Sequence, residues 1–449
     1  MLASPPAQFA FSHPYLLTMV IIVVVFVWPT YRSMKKEEAE ARRLQEQAIA
    51  EGTHEPVSIR PHIDLSRCIG SAACIHACPE QKIIQVIDGV AQIVMGSHCV
   101  GHGACERACP LNAITLVFGS ERRGIELPVV QPDFQTNVAG LYIAGELGGM
   151  GLVANAVEQG VQAMMGIEAT LQPAASQVYD VVIVGAGPAG FAAGLYAQQK
   201  KLKYLLIEQD EFGGAIRHYP RQKLVMARPI AFPGFGTVKL KTIRKEELIE
   251  LFEQIMEKTG LQVSCPERVE RISPASELGF VVTTQKREIR SQQVLICVGR
   301  RGTPRTLGVP GEEQEKVAYR LIDAELYDHK HILVVGGGDS AVEAACSLSE
   351  QPGNKVWLSY RKSVINRPKA ANVERLKQAT QQERVTLVLE STVSRIELDR
   401  VAIDQKGEQI VLPNDFVFVF AGGILPTSFL EKAGIRLQTH YGKRIEDRA

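Results

Sequence analysis

The sequence predicts an α/β protein with two doubly wound domains, a small cysteine-rich α+β unit and one apolar helix at the N-terminus. Three observations carry that prediction. A strand, glycine turn, helix, strand pattern occurs twice, over Asp180–Glu208 and His331–Arg361, and such alternation builds parallel sheets covered by helices. Six of the nine cysteines fall between Cys68 and Cys109 in a repeated spacing. Residues 1–31 contain no Lys, Arg, Asp or Glu. A chain of 449 residues with 45% hydrophobic content has room for about two to four cores. Its net charge of +1 hides no block of like charge, so nucleic acid is not an expected partner.

Tyr15 to Tyr31 is almost wholly apolar, with Tyr15 at one end and Trp28 and Tyr31 at the other, the aromatic arrangement of a membrane span. About 17 residues cover roughly 25 Å as a helix, a little under the ~30 Å hydrocarbon core, so local thinning or use of Phe9 to Phe11 completes the span. Arg32, Lys35, Lys36, Arg42 and Arg43 follow it and no Lys or Arg precedes it, which places the C-terminal side in the cytoplasm. A cleaved signal peptide is the competing reading; the basic n-region and the A-x-A-like site are both missing. Residues 1–31 form the anchor in this reading and 32–58 a helical linker. Residues 32–52, rich in Ala, Glu, Lys, Arg and Gln, suit a solvated helix or stalk.

Residues 59–119 form the cysteine-rich unit. Cys68-x5-Cys74-x3-Cys78-Pro79 recurs as Cys99-x5-Cys105-x3-Cys109-Pro110, and between the copies lies a hairpin, IIQVIDGVAQIV, turning at Asp88-Gly89. Iron-sulfur clusters need thiolates converging from a tight loop, with a distant fourth ligand closing the cage. The pattern C-x2-C-x2-C-x3-C-P supplies this, its last cysteine serving the other cluster. Each copy here keeps three of the four cysteines, with Ser71 and His102 at the second position. A relic fold without metal leaves the paired spacing of six thiols unexplained, and the x5 and x3 gaps followed by Pro do not suit a zinc knuckle. His76 and His98 read as solvated loop residues.

Over roughly 55 residues this stretch resembles two-cluster bacterial ferredoxins. The resemblance implies one cluster on Cys68, Cys74 and Cys109 and another on Cys99, Cys105 and Cys78. Ser71 and His102 then either ligate a fourth iron through oxygen or nitrogen, giving 4Fe-4S, or leave a 3Fe-4S cluster, as in monooxygenase-partner ferredoxins that lack the same cysteine.

The first dinucleotide motif is Gly185-x-Gly187-x-x-Gly190, with Glu208 at the end of the following strand. The first glycine allows the turn, the second lets backbone approach a pyrophosphate, the third packs helix on strand, and the acid takes ribose hydroxyls. Strand, helix and acid are all present, which a merely structural glycine turn does not require. Gly213 and Gly214 permit close approach to a ring system. Arg217, His218, Arg221 and Lys223 read as a solvated basic loop. The second motif, Gly336-x-Gly338-x-x-Ala341, is followed by a strand without a terminal acid, while Arg361, Lys362 and Arg367 are available to a 2'-phosphate. NADP is therefore preferred over NAD; the alternative is that these are ordinary surface cations.

Residues 179–449 resemble the thioredoxin reductase-like pyridine nucleotide flavoproteins through GAGPAG, FGGAIRHYP, ICVGRRGTPRTLGVPGEE, GGGDSA and DFVFVFAGGILPTSFL, in order. The resemblance implies Rossmann-like FAD and NAD(P) domains. Two departures matter. ELYDHKHILVV contains no C-x-x-C before the second motif, which argues against the family's disulfide reduction. The family's closing flavin-contacting segment is missing from the C-terminus and stands upstream as QTNVAGLYIAGELGGMGLVANAVEQGVQAM, residues 135–164. A circular permutation follows, with Gly145 and Glu146 where the family's Gly-Asp meets FAD and the next helix presenting its N-terminus to the flavin. A plain αβ linker is the alternative.

The expected organisation is 120–172 as permuted flavin-contacting segment, 173–312 as FAD domain, 313–410 as NAD(P) domain and 411–449 as return to the FAD domain. The expected function is a single-pass membrane oxidoreductase, in a bacterial inner membrane with its catalytic part cytoplasmic. It moves electrons between NAD(P)H, FAD and two iron-sulfur clusters to a partner protein or quinone, and is able to form a homodimer. The rivals are a flavin-dependent reductase of a quinone or disulfide, and a redox sensor or assembly scaffold without turnover.

Overall fold

The computed structural model describes residue 18 and residues 21–442, apart from 51–52, 56–58, 81, 100, 120–123, 150, 174–176, 220, 222, 227–228, 241, 276–278, 301–302 and 425. The expected membrane span lies partly outside these residues. Its described part is helical, and Ile21 through Trp28 are each 46–65% exposed. Among the described residues no helix is long and apolar enough to cross a membrane.

Helix α1 (Trp28–Ala50) forms where the composition predicts a helix, but it is no free stalk. Ala41 and Ala48 are each 2% exposed, Ala41 packs with Ile87 and Val94 of the cysteine-rich unit, Arg42 pairs with Asp88, and Glu38 accepts the Asp88 N–H at 3.2 Å. Small residues on one helix face let the backbone approach closely, and this is what seats α1 on the hairpin turn.

In the cysteine-rich unit β1 (Ile59–Ile63) pairs antiparallel with β4 (Ile114–Phe118), closing the two ends of the segment on each other. Between them come α2 (Ala73–Ala77), the hairpin β2 (Ile84–Ile87) and β3 (Val90–Ile93), and α3 (Ala104–Ala108). Asp88 and Gly89 both have positive φ, 54° and 75°, as the tight Asp-Gly turn requires.

After β4 the chain does not run on as a linker. Strand β5 (Ile125–Pro128) pairs with the last strand, β17 (Leu437–His440), and β6 (Leu141–Ile143) enters the first large sheet. That sheet holds β7 (Tyr179–Val184), β8 (Tyr204–Ile207), β9 (Val269–Pro274), β10 (Phe280–Thr284) and β11 (Glu288–Ile296). The C-terminal half of β11 lies between β7 and β6, parallel to both, with Val294 opposite Val182 and Leu141. Val181 to Ile183 are fully buried, as a parallel strand covered on both faces must be. Two helices cover this region: α4 (Val153–Thr170), from the upstream segment, and α5 (Pro188–Gln199), which follows the first glycine motif. They touch at Gly160, where a Cβ would lie 2.1 Å from the Ala189 carbonyl oxygen.

The second sheet is parallel throughout, in the order β12 (Val317–Ala318), β16 (Phe416–Val419), β13 (His331–Val335), β14 (Lys355–Tyr360), β15 (Val385–Leu389). Helix α6 (Asp339–Ser349) follows β13. Because β16 hydrogen-bonds inside this sheet, the return to the first unit falls after Val419, later than the expected boundary at 411. Helix α7 (Thr427–Lys432) then packs on β9.

Gly160→Val should overpack the α4–α5 contact and cost about 1–3 kcal/mol, visible as a lowered midpoint in thermal or urea unfolding. A midpoint equal to that of the unaltered protein is the contrary result.

Candidate functional site

The cysteine loops are drawn tight by residues with left-handed backbone. Gly70 (φ +64°) lies so close to the hairpin that a Cβ would meet the Gly89 oxygen at 2.2 Å; at Gly101 (φ +76°) it would meet Ile59 Cγ2 at 2.1 Å. Ala72 and Gly103, with φ of 58° and 69°, then start α2 and α3. Cys68, Cys74, Cys109 and Ser71 line one cavity together with Arg67, Ile69 and Leu111. The Cys68 sulfur accepts the Ala91 N–H at 3.3 Å and the Cys109 sulfur that of Ala113 at 3.2 Å.

Cys78, Cys99 and Cys105 are mutual neighbours on the other side. Burial pushes the Cys99 thiol up to about 11 and the Cys105 thiol up to about 12, and nearby Cys78 adds to both. Burial also raises Cys78, which donates to the Glu80 carbonyl at 3.1 Å, and raises Cys74, with Cys68 and Cys109 contributing. The last cysteine of each repeat thus joins the triad of the other. The charged neighbours acting on Cys78, Cys99 and Cys105 are Glu80 and one another, and all of them oppose ionisation.

Three thiols that resist ionisation, Cys105 buried and Cys78 and Cys99 half-buried, fit a cationic iron-sulfur core, whose charge would hold them as thiolates. Among the described residues no three His, Cys, Asp or Glu groups converge closely enough to hold a single metal ion.

His102 is half-buried, and burial holds its ring below the ordinary histidine range, leaving it a neutral nitrogen donor; Ser71 is exposed. His76 is exposed as expected, but His98 is 7% exposed and belongs to the interior of the unit. Its place in a short turn against Thr53 and Ser97 came from the docking of α1, which no local pattern announces.

In the first dinucleotide loop, Gly185 (φ +101°) would place a Cβ 2.7 Å from the Cys297 oxygen, and Gly190 would place one 1.8 Å from the Gly185 oxygen. At Gly187 a Cβ would meet nothing within 4 Å, so its face is open. Gly214 closes over Gly187, where its own Cβ would approach the Gly187 Cα to 3.1 Å, and Gly213 (φ +99°) precedes it. Glu208 is 7% exposed and accepts the Ala186 N–H at 2.8 Å and the Asp210 N–H at 3.2 Å; burial pushes its carboxyl up while these bonds oppose the shift.

Gly145 (φ +85°) comes from the upstream segment, donates its N–H to Gln159 at 2.9 Å and sits beside Ala189 at the start of α5. Glu146 lies next to Gly151 and Gly299, and near the half-buried Arg300, whose guanidinium burial destabilises and Glu146 supports. An open glycine face, a buried acid and a helix N-terminus in one cleft fit the pyrophosphate and ribose of FAD. Gly299 and Arg300 lie in the ICVGRRGTP segment and Gln159 in residues 135–164, but their contacts with Glu146 and Gly145 appear only in the fold.

The second loop repeats the plan. A Cβ at Gly336 would meet the Phe420 oxygen at 2.6 Å and Ala341 Cβ at 3.1 Å, whereas at Gly338 it would meet nothing. The ring of Tyr360 lies against Gly337, another contact the sequence did not reveal. Arg361 and Lys362 are exposed directly after β14, and Arg367 is half-buried nearby in the chain. Arg217, His218, Arg221 and Lys223 are no solvated basic loop: they pair with Glu253 at 2.8 Å, Asp210 at 3.3 Å, Asp323 at 3.0 Å and Glu343 at 2.9 Å, the last two bonds tying the first unit to the second. All nine cysteines are free thiols; the three outside the cysteine-rich unit, Cys265, Cys297 and Cys346, lie in separate places.

Residues 182–445 match the family model for pyridine nucleotide-disulphide oxidoreductases, and residues 60–110 match that for the 4Fe-4S dicluster domain. The first match covers more than half of the chain, which therefore belongs to the pyridine nucleotide-disulphide oxidoreductase family. It is an FAD-dependent NAD(P)H oxidoreductase that carries a ferredoxin-like iron-sulfur domain. A ferredoxin–NADP reductase of Thermus thermophilus is 30% identical over 270 residues, 58% of this chain and 77% of that protein. The ferredoxin–NADP reductase of Ignicoccus hospitalis is 28% identical over 274 residues, 59% of this chain and 83% of that protein. Among solved structures, the bacillithiol disulfide reductase of Bacillus cereus superposes with a TM-score of 0.53 at 25% identity, covering 58% of this chain and 82% of that one.

Gly187→Ala and Gly338→Ala separate the two loops, since neither new methyl group meets protein. Gly187→Ala should fold but purify with flavin affinity reduced roughly tenfold or more, about 1.4 kcal/mol. Gly338→Ala should keep its flavin and lose nicotinamide affinity instead. Flavin absorbance and equilibrium binding of NADPH read the two effects.

Proposed function

We propose that this chain is a membrane-anchored relay, exchanging electrons between NADPH and a partner protein or quinone through FAD and two iron-sulfur clusters in one polypeptide. The observation that carries this reading is a direct packing contact: β4 ends the cysteine-rich unit at Phe118, and Phe118 packs on Gly149 of the flavin-side segment, where a Cβ would lie 2.5 Å from its ring. The pairing of β6 with β11 supports a circular permutation of the flavoprotein fold, with the ferredoxin-like unit fused at the new junction.

In this reading Gly185, Gly187, Gly190, Glu208, Gly213 and Gly214 hold FAD, with Gly145 and Glu146 at its flavin end. Gly336, Gly338 and Ala341 receive the nicotinamide dinucleotide, and Arg361, Lys362 and Arg367 its 2'-phosphate. Cys68, Cys74 and Cys109 hold one cluster; Cys78, Cys99 and Cys105 hold the other. Neutral, half-buried His102 suits a fourth ligand, whereas exposed Ser71 suits a 3Fe-4S site, so mixed occupancy is the expectation. Bound flavin exchanges electron pairs with nicotinamide and single electrons with a cluster. The protein's own part is to position and shield: Glu208 and the α5 N-terminus fix the dinucleotide, and the paired Arg221 and Lys223 join the two units. The apolar segment Tyr15–Tyr31 anchors the chain with its catalytic part on the cytoplasmic side, and a homodimer completes the proposed assembly.

Anaerobic NADPH addition followed by absorbance and EPR tests the relay: flavin bleaching with reduction of both clusters is expected. Bleached flavin over oxidised clusters points instead to a reductase of small molecules, and no bleaching to a sensor. Removing two phosphate-facing cations by Arg361→Ala with Lys362→Ala should raise the KM for NADPH at least ~10-fold, from charge-assisted bonds worth about 1.5–3 kcal/mol each, and leave that for NADH nearly unchanged.

A further inference from the structure

The two cysteine triads are chemically alike, and the repeat that encodes them is nearly symmetric. Their surroundings are not. Cys99 and Cys105 flank Gly101, which is buried and would place a Cβ 2.1 Å from Ile59. Ile59 shares a packed cluster with Leu116, Phe118, Ile125 and Leu127. Phe118 and Leu127 in turn press on Gly149, three residues beyond Glu146 at the flavin-side turn. On the same side, Glu80, two residues after Cys78, approaches Lys369 at 3.9 Å, and the Lys369 N–H is held by Asp339 at 2.8 Å in the second glycine loop. Packed residues therefore lead from Gly101, which stands between Cys99 and Cys105 in the chain, through Ile59 and Phe118 to the turn at Gly149, and Glu80 makes a polar contact toward the second glycine loop.

The other triad is buried to the same degree, but its surroundings differ. Its cavity is lined by Arg67, Ile69, Pro110 and Leu111, and no residue beyond Ile114 contributes to it. Ile69 is 66% exposed, Leu111 46% and neighbouring Leu65 58%.

We propose that the triads have fixed and different stations: Cys78, Cys99 and Cys105 form the inner site that exchanges electrons with the flavin, and Cys68, Cys74 and Cys109 form the outer site that exchanges them with the external acceptor. This order rests on the relay proposed above. The balance is simple: NADPH gives a hydride to oxidised FAD, which takes one solvent proton, and the reduced flavin returns two protons to solvent as two electrons leave singly through the inner site. Each electron reaches the outer site by way of the inner one.

Freeze-quench EPR of the full chain after anaerobic mixing with NADPH tests the order. In Cys105→Ala the flavin should still bleach while the outer cluster reduces at least ~10-fold more slowly than in the unaltered protein. In Cys74→Ala the inner cluster should reduce at the unaltered rate. An outer cluster that reduces normally in Cys105→Ala, or an inner one that stalls in Cys74→Ala, overturns the order.

If a cysteine variant fails to fold, the surface variant Ile69→Glu compared with the unaltered protein still decides. A soluble dysprosium chelate should speed the spin relaxation of the cluster whose reduction potential Ile69→Glu lowers, and enhancement confined to the other cluster overturns the order. The relay and its order fail separately. Unaltered protein whose flavin bleaches while both clusters stay oxidised removes the relay itself; protein whose clusters reduce with the wrong dependence removes only the order.

Discussion

Helix α4 can reach α5 only because Gly160 presents no side chain to the Ala189 carbonyl, and much of the architecture depends on this approach. With α4 seated, β6 lies parallel to β11 and the turn from Gly145 to Gly149 is fixed beside the first glycine loop. Upstream, Phe118 packs between Gly149 and its own sheet, so the cysteine-rich unit touches this turn at its end. A contact of two helices in the flavin unit thereby sets where six thiols stand.

Such fusion differs from tethering by a linker. A linker leaves an electron donor and acceptor to find each other by diffusion within an effective volume, and it permits many orientations. Here β5 pairs with β17, the last described strand, while β1 pairs with β4, so the strands on both sides of the junction are paired with distant partners. The ion pairs of Arg221 and Lys223 with Asp323 and Glu343 add a second set of contacts, between the two dinucleotide units. Exposed pairs of this kind contribute little to stability, generally under ~1 kcal/mol. Their effect is on the relative placement of the units.

Helix α1 extends the same logic toward the N-terminus. Ala41 and Ala48 are buried while the rest of the helix is mostly polar or charged, so the helix lies on the hairpin along a narrow stripe. A solvated stalk and a docked helix share nearly the same composition. Two alanines at helical spacing distinguish them only when their partners, Ile87 and Val94, are known.

What the residues alone determined is whatever depends on neighbours in the chain. The glycine spacings 185–187–190 and 336–338–341, the Asp88-Gly89 turn and the twin cysteine repeats are local rules of backbone freedom and ligand reach, and each stands where the spacing placed it.

Tertiary structure decided everything that joins distant segments. It buried His98, paired the basic residues 217–223 with acids, put Tyr360 against Gly337 and Arg300 near Glu146, and kept β16 in the second sheet. It also broke the symmetry of the cysteine repeat. Two near-identical loops differ because one packs on Ile59 and the other on the hairpin at Gly89, and such packing is a property of the whole fold.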